Sequence, residues 1–317
     1  MGYDCVNYLP EGTRFYEVEE FLQFLGYERI KKGFFYWFED TDYLSITGVF
    51  ATVKKAEDNQ ISVWLRSQIF ASNTDISHFN NTAKQLRKRF GGYFESDFGK
   101  NRYIRDLKVD RVKAEAGCYQ AFTNFENNLA KARIYTTYAR FDVQMPPIGV
   151  IPAFDEANPI IISNNLVVPF LVSIVEEFFK SSYIAILRYS DKKIAILKNS
   201  RVFPDDLLAI SEGSLSVEDA VARSKSFQNI EKIVSNFKDL NRLLDLRGTL
   251  KKPYRRRKES LYESIDKLFE QRHSLIHQNY IRIDYTNDKL ERDIGNVKVS
   301  IERSYQHFID VYGWNSL

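Results

Sequence analysis

Thiols are almost absent from this chain. Its 317 residues include two cysteines, Cys5 and Cys118, which lie far apart and form no CxxC pair. That argues against a disulfide framework and a cysteine zinc site, and it fits a reducing cytoplasm. Long hydrophobic runs are missing too. The most apolar stretch, Leu166–Val175, covers ten residues, contains Pro169 and runs into Glu176 and Glu177, too short to cross a bilayer. The opening MGYDCVNYLPEG has no basic or apolar leader region, so no signal peptide is expected. A surplus of either charge is also lacking: 45 basic against 42 acidic residues leave +3. A whole-protein electrostatic grip on nucleic acid is therefore not expected, and any basic site must be local. These absences together predict a cytoplasmic protein with no membrane partner.

Apolar material is abundant, with 44% hydrophobic and 15% aromatic residues, which excludes a disordered chain. The first 150 residues read as a mixed α/β domain. A helix is expected over 15–26, stopped by Gly26, and strands over 34–39, 43–54 and 61–70, the last two joined as a hairpin through 57–59. A second helix is expected over 72–92, ended by Gly91 and Gly92, then a helix over 112–132 and a strand over 134–143. The proline-rich, weakly charged segment 145–159 marks the domain boundary. Residues 161–317 read as an all-α bundle. Its long helices are expected at 163–187, 216–240, 255–278 and 287–313, the first apolar on nearly every face and therefore buried. The fold class is thus α+β.

Several chemical signals dissolve on inspection. The stretch FGGYFESDFGKN (90–101) fails the phosphate-loop spacing at Phe94 and Asn101, so its glycines read as a helix stop and a turn. Glu176 and Glu177 are neighbours, about 100° apart on a helix, and cannot act as a facing acid and base. One of them could meet an arginine inside the bundle while the other stays solvated. His78 and His307 stand alone and read as structural. The run KKPYRRRK (251–258) is a candidate phosphate-binding patch, carried by Arg255, Arg256, Arg257 and Lys258 on the approach to the remaining histidines. The competing reading is a solvated turn balanced by Glu259 and Glu263.

Those histidines sit in RHSLIH (272–277). A polar stripe on an ordinary helix is one reading. A metal clip is another, since His273 and His277 are spaced i and i+4, but Ser274 stands where a zincin carries glutamate, and no third ligand is obvious. Metal-independent phosphodiester cleavage is the third. Imidazole, with an ordinary pKa of about 6.5, can take a proton from a ribose 2′-OH or give one to the leaving 5′-oxygen. A guanidinium can stabilise the charge of the pentavalent transition state. Arg272 and His277 lie about 140° apart on an ideal helix, so one phosphate meets both only in a cleft across the helix.

Arginine, a polar residue, three more positions and histidine, on a late helix of a four-helix bundle, resembles the HEPN (higher eukaryotes and prokaryotes nucleotide-binding) family of ribonucleases. Its motif is R-x4–6-H with a polar residue after the arginine. The resemblance covers residues 161–317. It implies an RNA endonuclease that needs no cofactor or metal, leaves a 2′,3′-cyclic phosphate and builds its active site at a homodimer interface. Carried over, Arg272 holds the phosphate, His277 is the acid or base, and His273 positions the 2′-OH. Family members are frequent in toxin–antitoxin and antiviral systems, and some have lost catalysis and only bind RNA or protein. On this reading the N-terminal domain is a sensor or regulator that receives a partner or trigger. Its aromatic residues Phe34, Phe35, Tyr36, Trp37 and Trp64 are core, or, where exposed, surfaces for bases or a partner.

Overall fold

The computed structural model describes residues 2–56, 60–105, 111–138 and 158–315. They form two compact units, Met1–Ala116 and Gly117–Leu317. The first is an antiparallel sheet with helices and the second a helical bundle, so the architecture is α+β. The expected boundary segment 145–159 lies almost entirely outside the described residues. The division falls earlier, ahead of most of a helix that the sequence reading assigned to the first domain.

In the N-terminal unit the strands are β1 (Asp4–Tyr8), β2 (Glu28–Lys31), β3 (Phe34–Trp37), β4 (Val49–Lys55), β5 (Ile61–Ser67), β6 (Tyr93–Ser96) and β7 (Gly99–Lys100). Their order across the sheet is β2-β3-β4-β5-β1-β6-β7, with every neighbour antiparallel. Helices α1 (Phe15–Phe24) and α2 (Asn73–Phe90) bury Val18, Leu22, Ile76, Phe79 and Leu86 with one face of the sheet, including Phe35, Val49, Ala51, Val63 and Leu65. Burial alternates along β4 and β5, as a sheet covered on one side requires. The expected hairpin is present, with Lys55 opposite Ile61, although its turn 57–59 lies outside the described residues.

Strand β4 starts at Val49, six residues later than its composition suggests. The preceding loop is captured by one carboxylate: Asp75 accepts from the backbone N–H groups of Ile46, Thr47 and Gly48 at 3.1–3.2 Å. The same side chain accepts from Ser72 N, while Ser72 Oγ accepts from Asp75 N, closing a capping box on α2. These amides have found an acceptor within the core and have no need of a strand partner. Gly91 and Gly92 do end α2, both at positive φ. At Gly92 a Cβ would lie 2.1 Å from the Tyr8 carbonyl oxygen, so the close approach of β1 requires glycine.

The C-terminal unit contains most of α3 (Lys113–Tyr138) and then α4 (Pro159–Arg188), α5 (Lys193–Lys198), α6 (Pro204–Ser211), α7 (Val217–Ser224), α8 (Ile230–Leu240), α9 (Leu246–Lys251), α10 (Leu261–Gln278) and α11 (Asn287–Tyr312). Helix α4 is the centre, packed by α8, α10 and α11. It is 30 residues long, and by length and composition alone it could cross a membrane. In the bundle it buries residues from Ile161 to Leu187 on its inner faces, while Leu166 and Phe170 stay exposed. Its rings Phe178 and Phe179 meet Phe125, Phe237 and Phe308, with Phe237 and Phe308 stacked 5.1 Å apart. Such pairs add about 0.5–1.5 kcal/mol each beyond the area they bury.

Three expectations change here. The strand proposed for 134–143 is helical as far as Tyr138, and the rest lies outside the described residues. Thr136 and Thr137 turn their hydroxyls back onto the Arg133 carbonyl, which lets β-branched residues sit in a helix. The single helix expected over 216–240 is broken into α7 and α8 so that Phe227 can bury against Tyr183. Asn229 then caps α8 by accepting from Lys232 N. The helix expected from 255 starts at Leu261, capped by the reciprocal pair Ser260 and Glu263, and leaves 255–258 outside it.

Replacing Asp75 with alanine strands three loop amides and a helix cap together. We expect Asp75→Ala to destabilise the N-terminal unit by about 3 kcal/mol and to strip hydrogen-exchange protection from the amides of 46–48. Ser72→Ala, which removes one cap bond and leaves the loop held, should cost about 1 kcal/mol.

Candidate functional site

Helix α10 turns Leu261, Ile265, Leu268 and Phe269 into the bundle and stops at Asn279, which takes a left-handed conformation at φ 52°. That register fixes the motif. His273 and His277 share one exposed flank, their ring centroids 4.7 Å apart and tilted by 45°. Arg272 is half-buried and acts electrostatically on Glu176 of α4. The structure therefore brings the two histidines together and places the arginine within electrostatic range of the central helix.

Of the two acids, Glu176 is the one that feels an arginine, through space and without an ion pair among the described residues. It is half-buried, and its Oε1 is buried with no hydrogen-bond partner. Burial raises its pKa above the ordinary 4.5, and the Arg272 guanidinium pulls it back. Glu177 is solvated and accepts a hydrogen bond from Ser181 Oγ at 2.8 Å. An open groove of about 520 Å³ runs beside the pair, lined by Glu176 and Lys180 on one wall and Arg223, Lys225 and Gln228 on the other. Arg223 is held by Asp206 at 2.9 Å and Lys225 by Asp239 at 3.4 Å.

The end of α10 is pinned to α4 by a buried polar network that composition did not reveal. Asn165 Oδ1 accepts from Arg282 N at 3.1 Å, and its Nδ2 donates to the Arg282 and Ile161 carbonyls. Asn164 Nδ2 donates to the Tyr285 carbonyl at 3.1 Å. Arg282 also reaches Gln271, the residue before the motif arginine, at 3.4 Å. The available signal was the pair Asn164-Asn165 inside a helix with almost no other polar residue facing inward.

The basic run 251–258 sits elsewhere. It precedes α10, whose 16-residue span from Leu261 to His277 is about 24 Å at 1.5 Å per residue. The run thus lies at the far end of the helix from the histidines. Arg257 donates to Asn296 Oδ1 at 2.7 Å, and Arg255, Arg257 and Arg303 surround the Tyr254 ring at 5.1–5.4 Å. Arg256 and Lys258 are exposed and make no ion pair among the described residues. Nor do three or more His, Cys, Asp or Glu side chains gather anywhere among the described residues.

His78 lies flat on Trp37, centroids 3.6 Å apart and planes 3° apart, and burial lowers its pKa to about 4, so it stays neutral. Burial also lowers the pKa of His307. Both are packing residues. Comparison with known proteins returns no match: no family model fits the chain, and neither a curated protein nor a solved structure is significantly similar to it.

Because the folded state raises the Glu176 pKa, its protonated form adds stability below about pH 4.5, and that contribution is lost as pH rises through the folded value. Glu176→Gln should therefore gain stability over the parent at neutral pH and lose that advantage in acid. In a carboxyl NMR titration, Arg272→Ala should move the Glu176 midpoint further up.

Proposed function

We propose that this chain is a HEPN-type endoribonuclease, cytoplasmic, working without a metal, and assembled as a homodimer through its C-terminal unit. The observation that carries the reading is the exposed, adjacent His273–His277 pair one step along α10 from Arg272. Cleavage by a 2′-OH needs one group to remove the proton, one to protonate the leaving 5′-oxygen and a fixed cation for the phosphate, which two chains would supply from their copies of His277 and Arg272. In this scheme His277 is the acid or base, His273 orients the 2′-OH and Arg272 stabilises the transition state.

One chain presents its histidines on one flank and its arginine on another. A two-fold partner would set a second copy of α10 opposite the first and close a cleft over one phosphate. Exposed Ile276 and Tyr280 beside the histidines, 47% and 59% accessible, offer apolar contact for such a pairing. Arg256 and Lys258 would hold RNA backbone further along the helix. The biological setting we favour is antiviral defence or a toxin-like stress response, with the N-terminal unit receiving the trigger.

The alternative is a non-catalytic module that binds RNA or protein through the same surface. The observation favouring it is the nearby charge of Glu176, which acts on Arg272 electrostatically and would oppose a phosphate there.

RNA digestion decides between them. Cleavage should persist in EDTA, leave 2′,3′-cyclic ends, and fall by about 10²–10⁴-fold in His277→Ala or Arg272→Ala. Cutting by the double variant at the parental rate would remove the site assignment. RNA retention without cutting, lost when Arg255, Arg256 and Arg257 are changed to glutamate, would favour the binding module.

A further inference from the structure

The sheet of the N-terminal unit has a second face, on which no helix of the unit packs among the described residues. Alternation sends Phe35 and Trp37 to the helix side and Phe34 and Tyr36 to this one. The strand register orders the open face into rows. Tyr36 stands opposite Phe50, Phe50 opposite Arg66, and Arg66 opposite Asp4. One step along, Phe34 stands opposite Thr52, and Thr52 opposite Trp64. In the next row Lys54 stands opposite Ser62, Ser62 opposite Tyr8, and Tyr8 opposite Tyr93. All six rings are partly accessible.

Cations lie on these rings. Lys54 Nζ is 4.6 Å from the Trp64 centroid and Arg66 5.3 Å from the same ring, while Lys100 is 4.0 Å from Tyr93 and Lys31 5.7 Å from Phe34. Asp4 is consumed, bound by Arg66 at 3.2 Å and by the Trp64 indole N–H at 3.1 Å. Lys31, Lys54 and Lys100 have no ion-pair partner among the described residues, so their charge stays available beside the rings. The acids remaining on this face, Glu28 and Glu95, are exposed on β2 and β6.

We propose that this face binds single-stranded nucleic acid, with bases stacked on Tyr36, Phe50, Trp64 and the Tyr8–Tyr93 pair, and phosphates held by Lys54 and Lys100. Charge complementarity favours that occupant over a protein. Unpaired ammonium groups beside partly accessible rings match a polymer that alternates π-surfaces with anions. A protein partner would call for a continuous apolar ridge, and here Thr52, Ser62 and the cations interrupt the rings. The rings gather into two platforms, Phe34, Phe50 and Tyr36 at 4.7–5.6 Å and Tyr8 with Tyr93 at 5.0 Å, and the cations flank both. The reading is independent of RNA cutting by the C-terminal unit. If both hold, the sheet selects the strand that the bundle cleaves.

The test uses the full chain with a fluorescent 2′-O-methyl RNA of about twelve nucleotides, which 2′-OH chemistry cannot cleave. DNA of the same sequence and the corresponding RNA duplex serve as further probes. Either single strand should bind better than the duplex, and comparison of the two single strands shows whether the sugar is read. Trp64→Leu and Tyr36→Leu, which keep apolar bulk, should each weaken binding at least about fivefold. Lys54→Gln with Lys100→Gln should flatten the slope of log affinity against log salt by about 1.4. Hydrogen exchange of the sheet amides checks that each variant is folded, and a loss of binding counts only in folded variants.

Equal affinity for the duplex overturns the proposal. So does binding that is unmoved by these variants, or binding abolished by Arg256→Gln with Lys258→Gln while the sheet variants bind as the parent does. Failure to retain any probe at low salt overturns it too, and leaves the face to a protein. Cleavage of unmodified RNA is read separately, so either idea can fail without the other.

Discussion

A 30-residue helix that is apolar on nearly every side has to be covered on nearly every side. In the C-terminal unit that constraint falls on α4, and the rest of the unit answers it. Helices α8, α10 and α11 each turn an amphipathic stripe toward it, and α3 adds Phe122 and Phe125 to the same aromatic core. The need for cover also explains the break between α7 and α8. A continuous helix could not have delivered Phe227 to Tyr183, so the chain bends at Lys225–Gln228 and restarts from a new cap.

The few polar groups on α4 then become positional. Asn164 and Asn165 are buried at 2% and 0% accessibility, and leaving them unmatched would be costly. They find their partners in the segment 282–287, directly after the motif helix. The hydrogen bonds that satisfy α4 are thus the ones that hold the end of α10. Glu176, about three turns further along the same helix, acts on Arg272 electrostatically. The motif is set by the central helix at two places, one through neutral hydrogen bonds and one through charge.

Periodicity revealed the helices because their apolar stripes are long. It marked α4 and α11 to within a few residues and the end of α10 but not its start, and the i, i+4 spacing of His273 and His277 placed both on one flank before any coordinates. What it missed has physical reasons. The strand reading of 134–138 rested on β-branched residues, whose propensity is weak against local backbone bonding and tertiary context. The early start of β4 failed because the loop acceptor, Asp75, lies nearly thirty residues away. The basic run 251–258 is near RHSLIH in sequence but separated from it by the length of a helix. Nothing local told Arg257, tied to Asn296, from the free Arg256. Alternation along β3 did carry the sorting of Phe34 and Tyr36 from Phe35 and Trp37, but not which side lay open.

The electrostatic coupling of Arg272 to Glu176 bears most on how the proposed site would work. A carboxylate acting through space on the guanidinium would compete with a phosphate that approached it. Burial weakens that competitor, because the same desolvation that raises the Glu176 pKa makes its charged form costly to keep. A phosphate that drew Arg272 away would leave Glu176 without its compensating charge and favour its protonation. Substrate binding and proton uptake by Glu176 are then linked, and affinity for a phosphate should strengthen as pH falls toward the Glu176 midpoint. In Glu176→Gln that dependence should vanish, because the competing charge is gone at every pH. On the proposed reading, Glu176 would temper the field of Arg272 until an anion arrived, which would reconcile a half-buried arginine with a role at an open surface.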